Sequence, residues 1–427
     1  MTPRDRKLLG AYYTPAGLIR RALDRLPAPS AQAEVVDLAC GEGAWLAAAG
    51  ERWPAARLVG IDLDPEAVAR AAARVPRATL QVGDGISAEL SGAELVIGNP
   101  PWGAGRSGRV RRGAESASAF VVRALELLRP GGRLCLLLPA AWLEVAAHRS
   151  ARERLLAACA IERIERWGDV FRGVQAPAAL VIARREPDRT ARAASQVRTP
   201  AGRVRQALFE SDPERALNPR LSERDRSLIA RLESAGAPLA GRATFVLGVV
   251  TGCNRRALDR DAGEPIVAGP DVTPYAIRPP SRRLALPLGR VQQAAPRAAY
   301  ARPKVIYRFI APEPVAAVDL DGRLTLNSAN ALALDDPELD PHFVAAALNS
   351  SALGFLHAAR TSLPRVLRSH LERLPLPRAA APEMRKIGKL AAEAGAAASA
   401  ELDDRVMALF RLEPAERARL RSTWPRS

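Results

Sequence analysis

The chain has 427 residues, 48% of them hydrophobic, which suits two or three domains with ample core. A formal net charge of +17, carried almost wholly by arginine because lysine occurs only at Lys7, Lys304, Lys386 and Lys389, puts nucleic acid first among partners. No apolar run can span a bilayer, Met1–Lys7 lacks an apolar signal core, and the four dispersed cysteines form no Cys-x-x-Cys pair; no membrane, disulfide framework or zinc site is expected, and a reducing cytoplasm is.

Residues 14–26 predict a helix, with Thr14 as N-cap, Pro15 at the first helical position and an apolar stripe from Leu18 to Leu26. Tyr12 and Tyr13 precede it, as packing or as a wall of a ligand site. Residues 34–38 predict a short buried strand that ends in an acid, Asp37. Ala39-Cys40-Gly41-Glu42-Gly43 then predicts a Gly-x-Gly turn into a helix, where bare backbone can approach a ligand. Leu46 stands where a dinucleotide fingerprint has its third glycine, which disfavours NAD and FAD.

A second strand over 57–61 ends at Asp62, placed to accept ribose hydroxyls. Asp64 reads as the N-cap of a helix opened by Pro65. A third strand, 79–82, is followed by Gly83-Asp84-Gly85, in which Asp84 is either a turn residue or an acceptor for a purine amino group. A fourth apolar run, Leu95-Val96-Ile97, stops at Gly98 and continues as Asn99-Pro100-Pro101-Trp102. The prolines hold this loop in extended conformations and remove backbone donors, so it is rich in acceptors. The Asn99 side-chain carbonyl and the Pro100 carbonyl can face a group with two hydrogens, with the Trp102 ring beside them. An exocyclic amine on a planar base fits. Asp37, Asp62, Asp84 and Asn99 thus repeat one pattern, a polar residue at a strand's carboxyl end, and in a doubly wound parallel sheet such ends share one ligand-binding edge.

The stretch 103–113, with Arg106 and Arg109, predicts a basic loop that either meets phosphate or is merely solvated. A helix over 116–129 and an apolar strand over 133–138 follow. Strands at 161–167 and 178–184 predict an antiparallel hairpin at one edge of the sheet. The pattern weakens from 186 to 240, read as a linker with one helix at 222–234. Beyond it come short apolar runs, a helix at 342–356 and arginines at 255, 256, 278, 282, 283, 290, 297, 302 and 308. The tail from 379 reads as helical.

These motifs resemble the S-adenosylmethionine-dependent adenine-N6 DNA methyltransferases, in particular the TaqI-like group of restriction–modification systems in its gamma order. Asn99-Pro100-Pro101-Trp102 matches the family's Asn-Pro-Pro-aromatic motif, with Trp where Tyr or Phe is usual. Asp37-Leu38-Ala39-Cys40-Gly41-Glu42-Gly43 matches its cofactor motif, Asp62 its ribose acid and Asp84 its adenine-contacting acid. Tyr12-Tyr13-Thr14-Pro15 matches the segment that lines the methionine end of the cofactor. The resemblance implies Phe171 as the second ring stacking on a flipped base. More loosely, Thr251-Gly252-Cys253-Asn254 matches the turn that opens the recognition domain; Arg255, Arg256 and Lys304 are expected with it at DNA. Pro303-Lys304-Val305-Ile306-Tyr307, Leu348-Asn349-Ser350 and Leu374-Pro375-Leu376-Pro377 resemble later signposts.

The resemblance implies an α/β Rossmann-like class I methyltransferase domain over 1–185 with an antiparallel edge hairpin, a linker over 186–240, a mixed α+β target-recognition domain over 241–378 and a helical tail over 379–427. It implies transfer of a methyl group from S-adenosylmethionine to the N6 amine of an adenine flipped out of double-stranded DNA, by a monomeric cytoplasmic enzyme. No nuclease signature precedes the catalytic motifs, so any restriction endonuclease is expected to be a separate partner. No catalytic histidine or Pro-Cys nucleophile is evident, which suits chemistry by positioning and disfavours cytosine-C5 methylation. Competing readings are RNA or protein-glutamine methylation on the same fold, and an inactive DNA-binding specificity protein.

Overall fold

The computed structural model describes residues 14–90, 92–102, 116–171, 177–361, 364–394 and 400–423. Two compact units divide the chain, Met1–Arg226 and Ser227–Ser427, and the boundary falls inside the helix Glu223–Ala235.

The first unit alternates strands and helices. In order these are α1 (Ala16–Leu23), β1 (Glu34–Asp37), α2 (Ala44–Arg52), β2 (Arg57–Asp62), α3 (Pro65–Arg74), β3 (Thr79–Val82), β4 (Ala93–Gly98), α4 (Ser116–Leu127), β5 (Leu128–Pro139), α5 (Arg149–Ala158), β6 (Cys159–Gly168), β7 (Ala178–Arg185), α6 (Arg189–Ala194), β8 (Gln196–Thr199) and β9 (Gly202–Arg205). They form one sheet in the order β3-β2-β1-β4-β5-β7-β6-β8-β9. β1 to β5 are mutually parallel and β7 runs antiparallel between β5 and β6.

Strand alternation builds three layers. Val35, Leu95, Ile97 and Leu137 pack with Ile19, Leu23 and Leu46 of α1 and α2. Their neighbours Val36, Val96 and Leu136 pack on the other face with Val121 and Leu155 of α4 and α5. Such strands, buried on both faces, read as continuous apolar runs. The sheet order reverses between β1 and β4, so the ends of these two strands form the crevice where doubly wound sheets hold ligands.

Three expectations change. The β6–β7 pair is antiparallel but is not the sheet's edge, because β8 and β9, from the stretch read as a linker, extend the sheet beyond it. Each of these strands is four residues long and contributes one buried valine, Val197 or Val204, too little periodicity to signal a strand. Thr14 does not cap α1. Pro15 holds that position with extended backbone, and Thr14 Oγ1 instead accepts from Trp45 Nε1 at 3.3 Å. The helix expected over 342–356 is two, Pro341–Leu348 and Ser351–Arg360. Asn349 turns aside to bond both backbone groups of Ala316, and Ser350 caps the second helix at Leu353 N, 3.2 Å away.

The second unit contains β10 (Gly236–Pro238), β11 (Ala243–Val246), β12 (Leu258–Asp259), β13 (Glu264–Val267), β14 (Val272–Thr273), β15 (Ala276–Ile277), β16 (Arg282–Leu284), β17 (Lys304–Arg308), β18 (Ala316–Asp319), β19 (Leu324–Thr325), β20 (Ala329–Leu334) and β21 (Pro375–Pro377). Two four-stranded sheets organise it, β11-β20-β17-β18 and β12-β16-β13-β19. The tail helices belong to this unit. Ile387, Val406 and Met407 are buried, and Asp403 accepts from Ser351 N at 2.8 Å and Ser351 Oγ at 2.7 Å.

Candidate active site

The carboxyl ends of β1, β2, β3 and β4 bring Asp37, Asp62, Asp84 and Asn99 to one edge of the sheet. Asp37 is almost wholly buried. Its Oδ1 accepts from Ala39 N at 3.1 Å, while its Oδ2 is buried without a partner among the described residues. Burial, opposed by the Ala39 amide and aided by the nearby Asp62 charge, pushes its carboxyl from an ordinary 3.8 up to about 7. A small cavity of about 10 Å³ opens there between Asp37, Ala39, Gly98 and Pro100.

Gly98 couples this acid to the Asn-Pro-Pro loop. Its φ is +143°, and a Cβ on it would lie 2.7 Å from Asp37 Oδ1. Only glycine lets β4 turn out so close to the carboxylate. The glycine turn is equally constrained. Gly43 has φ +75° and leads directly into α2 with no side-chain cap, so the amides that open that helix are not taken by a capping side chain.

Asp62 does more than face solvent. Its Oδ2 accepts from Gly41 N at 2.8 Å and its Oδ1 from Asp64 N at 3.0 Å, so it fixes the glycine turn to β2. Each oxygen keeps a second lone pair for a ligand. Asp64 is the N-cap of α3, accepting from Glu66 N at 3.0 Å, as its neighbour Pro65 led one to expect. Asp84 takes the turn role with one oxygen, Oδ1, which accepts from Ile86 N at 3.0 Å. Cys40 lies in the turn with its thiol pushed up by burial, first, and by Asp37 and Asp62, so it stays protonated.

Pro100 is buried, Asn99 and Pro101 are half-buried, and Trp102 Nε1 donates to Leu137 O at 3.4 Å. Trp102 and Phe171 are brought together, but against each other: their rings meet edge to face, 84° apart, with centroids 5.0 Å apart. In this arrangement no slot for a planar base lies between them. Nothing in the sequence singled out Leu63 and Val82, which are 62% and 53% exposed beside Asp62 and Asp84. Large apolar side chains left in solvent at strand ends on the acid-lined edge are the signal, and only the structure reveals their exposure. Phe120, on α4, lines the same small cavity as Asp37 and Pro100.

Thr14 and Pro15 sit at the start of α1; Tyr13, Arg106 and Arg109 lie outside the described residues. In the second unit, Thr251, Gly252 and Asn254 form a surface turn in which Thr251 Oγ1 donates to Asn254 Oδ1. Arg255, Arg256, Arg278, Arg282 and Arg290 make no ion pair and no side-chain hydrogen bond among the described residues. Arg282 lies on β16, and Arg255 and Arg256 lie on the short helix Asn254–Ala257 that leads directly into its partner strand β12. Arg283, Arg297, Arg302 and Arg308 are engaged internally, with Gly263 O, Glu264, Asp335 and Val272 O. Lys304, expected at DNA, is corrected: it is fully buried and paired with Asp319, donating also to Tyr300 O. An ammonium with both partners inside the domain has no surface to offer a phosphate.

Comparison with known proteins accords with this division. Residues 20–142 match a methyltransferase small domain, and residues 264–376 match a TaqI-like C-terminal specificity domain. The chain is 39% identical over 102 residues to a type II methyltransferase, M.XamI, of Xanthomonas campestris, covering 22% of this chain and 19% of that one. It is 30% identical over 187 residues to the type II methyltransferase M.TthHB8I of Thermus thermophilus, covering 39% and 42%. The chain spans less than half the length of these curated relatives. A DrdV–DNA complex solved by cryo-electron microscopy shares the fold, with a TM-score of 0.55 over 92% of this chain and 58% of that one at 10% identity. A methyltransferase small domain on the acid-lined edge and a TaqI-like specificity domain after it support a methyltransferase of TaqI-like kind with S-adenosylmethionine as cofactor.

Proposed function

We propose that the protein methylates the N6 amine of an adenine flipped out of double-stranded DNA, using S-adenosylmethionine. The observation that carries this reading is the pairing of β1 with β4 at the point where the sheet order reverses. It sets the Asn99-Pro100 acceptors directly beside the cofactor-type turn. The residues present fit the cofactor. The unpartnered Asp37 Oδ2 suits a cationic or N–H-bearing group, Asp62 retains lone pairs for ribose hydroxyls, and Leu63 and Val82 offer apolar cover for an adenine ring.

When bound, the cofactor supplies an electrophilic methyl group on a sulfonium. The residues of this chain do the rest. The target amine is a weak nucleophile because its lone pair is delocalised into the ring. The Asn99 side-chain carbonyl and the Pro100 carbonyl hold its two hydrogens and favour a more tetrahedral nitrogen. The same acceptors stabilise the positive charge that grows on nitrogen as the bond forms. The proton becomes acidic after transfer and leaves to solvent, so no strong base is required. A stacked base cannot reach this loop, so the nucleotide leaves the helix. Its stacking between Trp102 and Phe171 requires the two rings to part first. The five outward arginines of the second unit support a duplex held through its phosphates.

Expression in a host free of DNA methylation, followed by sequencing that reads modified bases directly, tests the proposal. N6-methyladenine at one recurring sequence is the expected product. N4- or C5-methylcytosine, or a methylated RNA or protein with unmodified DNA, would overturn the substrate assignment.

A further inference from the structure

A second cleft of the first unit lies away from the Asn99 edge. It measures about 530 Å³ and is walled by Val122 and Leu125 of α4, Ala157 of α5, and Arg154, Arg185 and Arg192. Its position follows from the sheet register. β7 runs antiparallel to β5, pairing Pro139 with Ala178 and Arg133 with Arg184, so Arg185 lies at the end of the sheet opposite the cofactor edge. At one strand rise per residue, the two ends are about 20 Å apart. The cleft is therefore separate from the site described above.

Its charges are unevenly satisfied. The two carboxylates on its wall are already matched, Glu126 by Arg123 at 3.3 Å and Glu186 by Arg184 at 2.8 Å. Arg154 and the half-buried Arg185 make no ion pair or side-chain hydrogen bond among the described residues. Arg192 is held in place by Glu186 O at 2.7 Å and Pro187 O at 2.8 Å, yet its Nε is buried without an acceptor. A buried N–H donor without an acceptor is costly, and such a donor calls for an acceptor from outside the chain. Guanidinium groups match phosphate oxygens through paired N–H donors. The apolar wall is suited to a ring or short carbon skeleton attached to the anion, and the volume falls in the range of small-ligand sites.

We infer that this cleft binds a small phosphate-bearing ligand, its anionic end between Arg154, Arg185 and Arg192 and its organic part along Val122, Leu125 and Ala157. The site is independent of methyl transfer and does not rest on the function proposed above.

Calorimetric titration of the full chain tests it, with inorganic pyrophosphate and uridine 5′-monophosphate as probes. The wild type is expected to bind one equivalent of each. The Arg154→Ala/Arg185→Ala variant should lose about tenfold or more in affinity, as removal of two charge-assisted hydrogen-bonding groups implies. Arg203→Ala, which removes a charge from the exposed strand β9, should leave binding unchanged. Circular dichroism shows whether the double variant keeps its fold; Arg185→Lys, which keeps the charge but loses the fork, should bind with intermediate affinity. Absence of binding to the wild type, or equal binding by the double variant, overturns the inference. So does a variant that loses affinity for duplex DNA but not for the two probes, because the arginines would then serve the nucleic-acid backbone.

Discussion

Arginines around the first unit's sheet and five of those in the 255–290 stretch of the second unit are used in opposite ways. Around the catalytic sheet, guanidinium groups are mostly matched within the unit: Arg25 with Glu165, Arg52 with Asp24, Arg70 with Glu42, Arg129 with Glu94 and Arg133 with Glu162. In the second unit, Arg255, Arg256, Arg278, Arg282 and Arg290 have no polar partner among the described residues, while the fully buried Lys304 is completely paired. A net charge of +17 is therefore a poor guide until it is divided by what each cation already touches. The paired arginines around the sheet hold charge for shape, and these five present it outward, which is where a polyanion gains most from counterion release.

The comparison can be broken most sharply at its neutral end. Asn99→Ala should lower methyl transfer by roughly 100-fold to 1,000-fold, the usual cost of one preorganised catalytic hydrogen-bonding group. Binding of labelled S-adenosylmethionine should persist. Transfer at the wild-type rate would show that the reacting loop lies elsewhere. Next comes Lys304→Met. Breaking a buried ion pair costs about 3–5 kcal/mol, and Lys304→Met/Asp319→Leu should recover much of the loss in urea unfolding. A Lys304 variant of unchanged stability with weakened DNA binding would restore that lysine to the interface. Arg255→Ala/Arg256→Ala should weaken DNA binding and flatten its salt dependence, by about 0.9 in the logarithmic slope for each phosphate no longer neutralised. An unchanged slope in a filter-binding titration would move the interface off the helix Asn254–Ala257.

The smallest effect concerns Asp37. Its carboxyl is raised from 3.8 to about 7, so the folded state holds its proton more tightly than the unfolded chain does. The stability it contributes is present at low pH and is lost as pH rises from about 4 to about 7. Binding of a cationic cofactor group favours the ionised form, so cofactor affinity should rise as pH passes through about 7. Asp37→Asn should remove that rise. Affinity that is flat with pH in the wild type would detach Asp37 from the cofactor's charge.

The features legible in the sequence were those encoded within a few residues. Asp64-Pro65 specifies a helix start, Gly41 to Gly43 a turn, and Asn99 to Trp102 a rigid loop, each through local backbone chemistry. The repeated polar strand end then aligned them. What escaped was set by partners distant along the chain. Lys304 faces Asp319 across the β17–β18 register, and that pairing exists only once the hairpin has formed. The strands β8 and β9 owe their place to two buried valines and a neighbour, β6, more than thirty residues upstream. Leu63 was an ordinary leucine until the fold left it in solvent. The break at Asn349 was hidden because the helical period runs on through a residue whose amide bonds to another strand.

The closed packing of Trp102 on Phe171 bears on how bases are told apart. Each ring is covered by the other, so under the proposed function a base entering between them would trade one ring–ring pairing for two base–ring pairings. A base–aromatic stack is worth about 1–3 kcal/mol whichever base provides it. The exchange therefore returns less than two full stacks, and nearly the same amount for adenine, cytosine or a mismatched base. Under the proposed function, discrimination would then fall on the acceptors of Asn99 and Pro100, and the aromatic pair would act as a threshold that an extruded base must cross before it can be read.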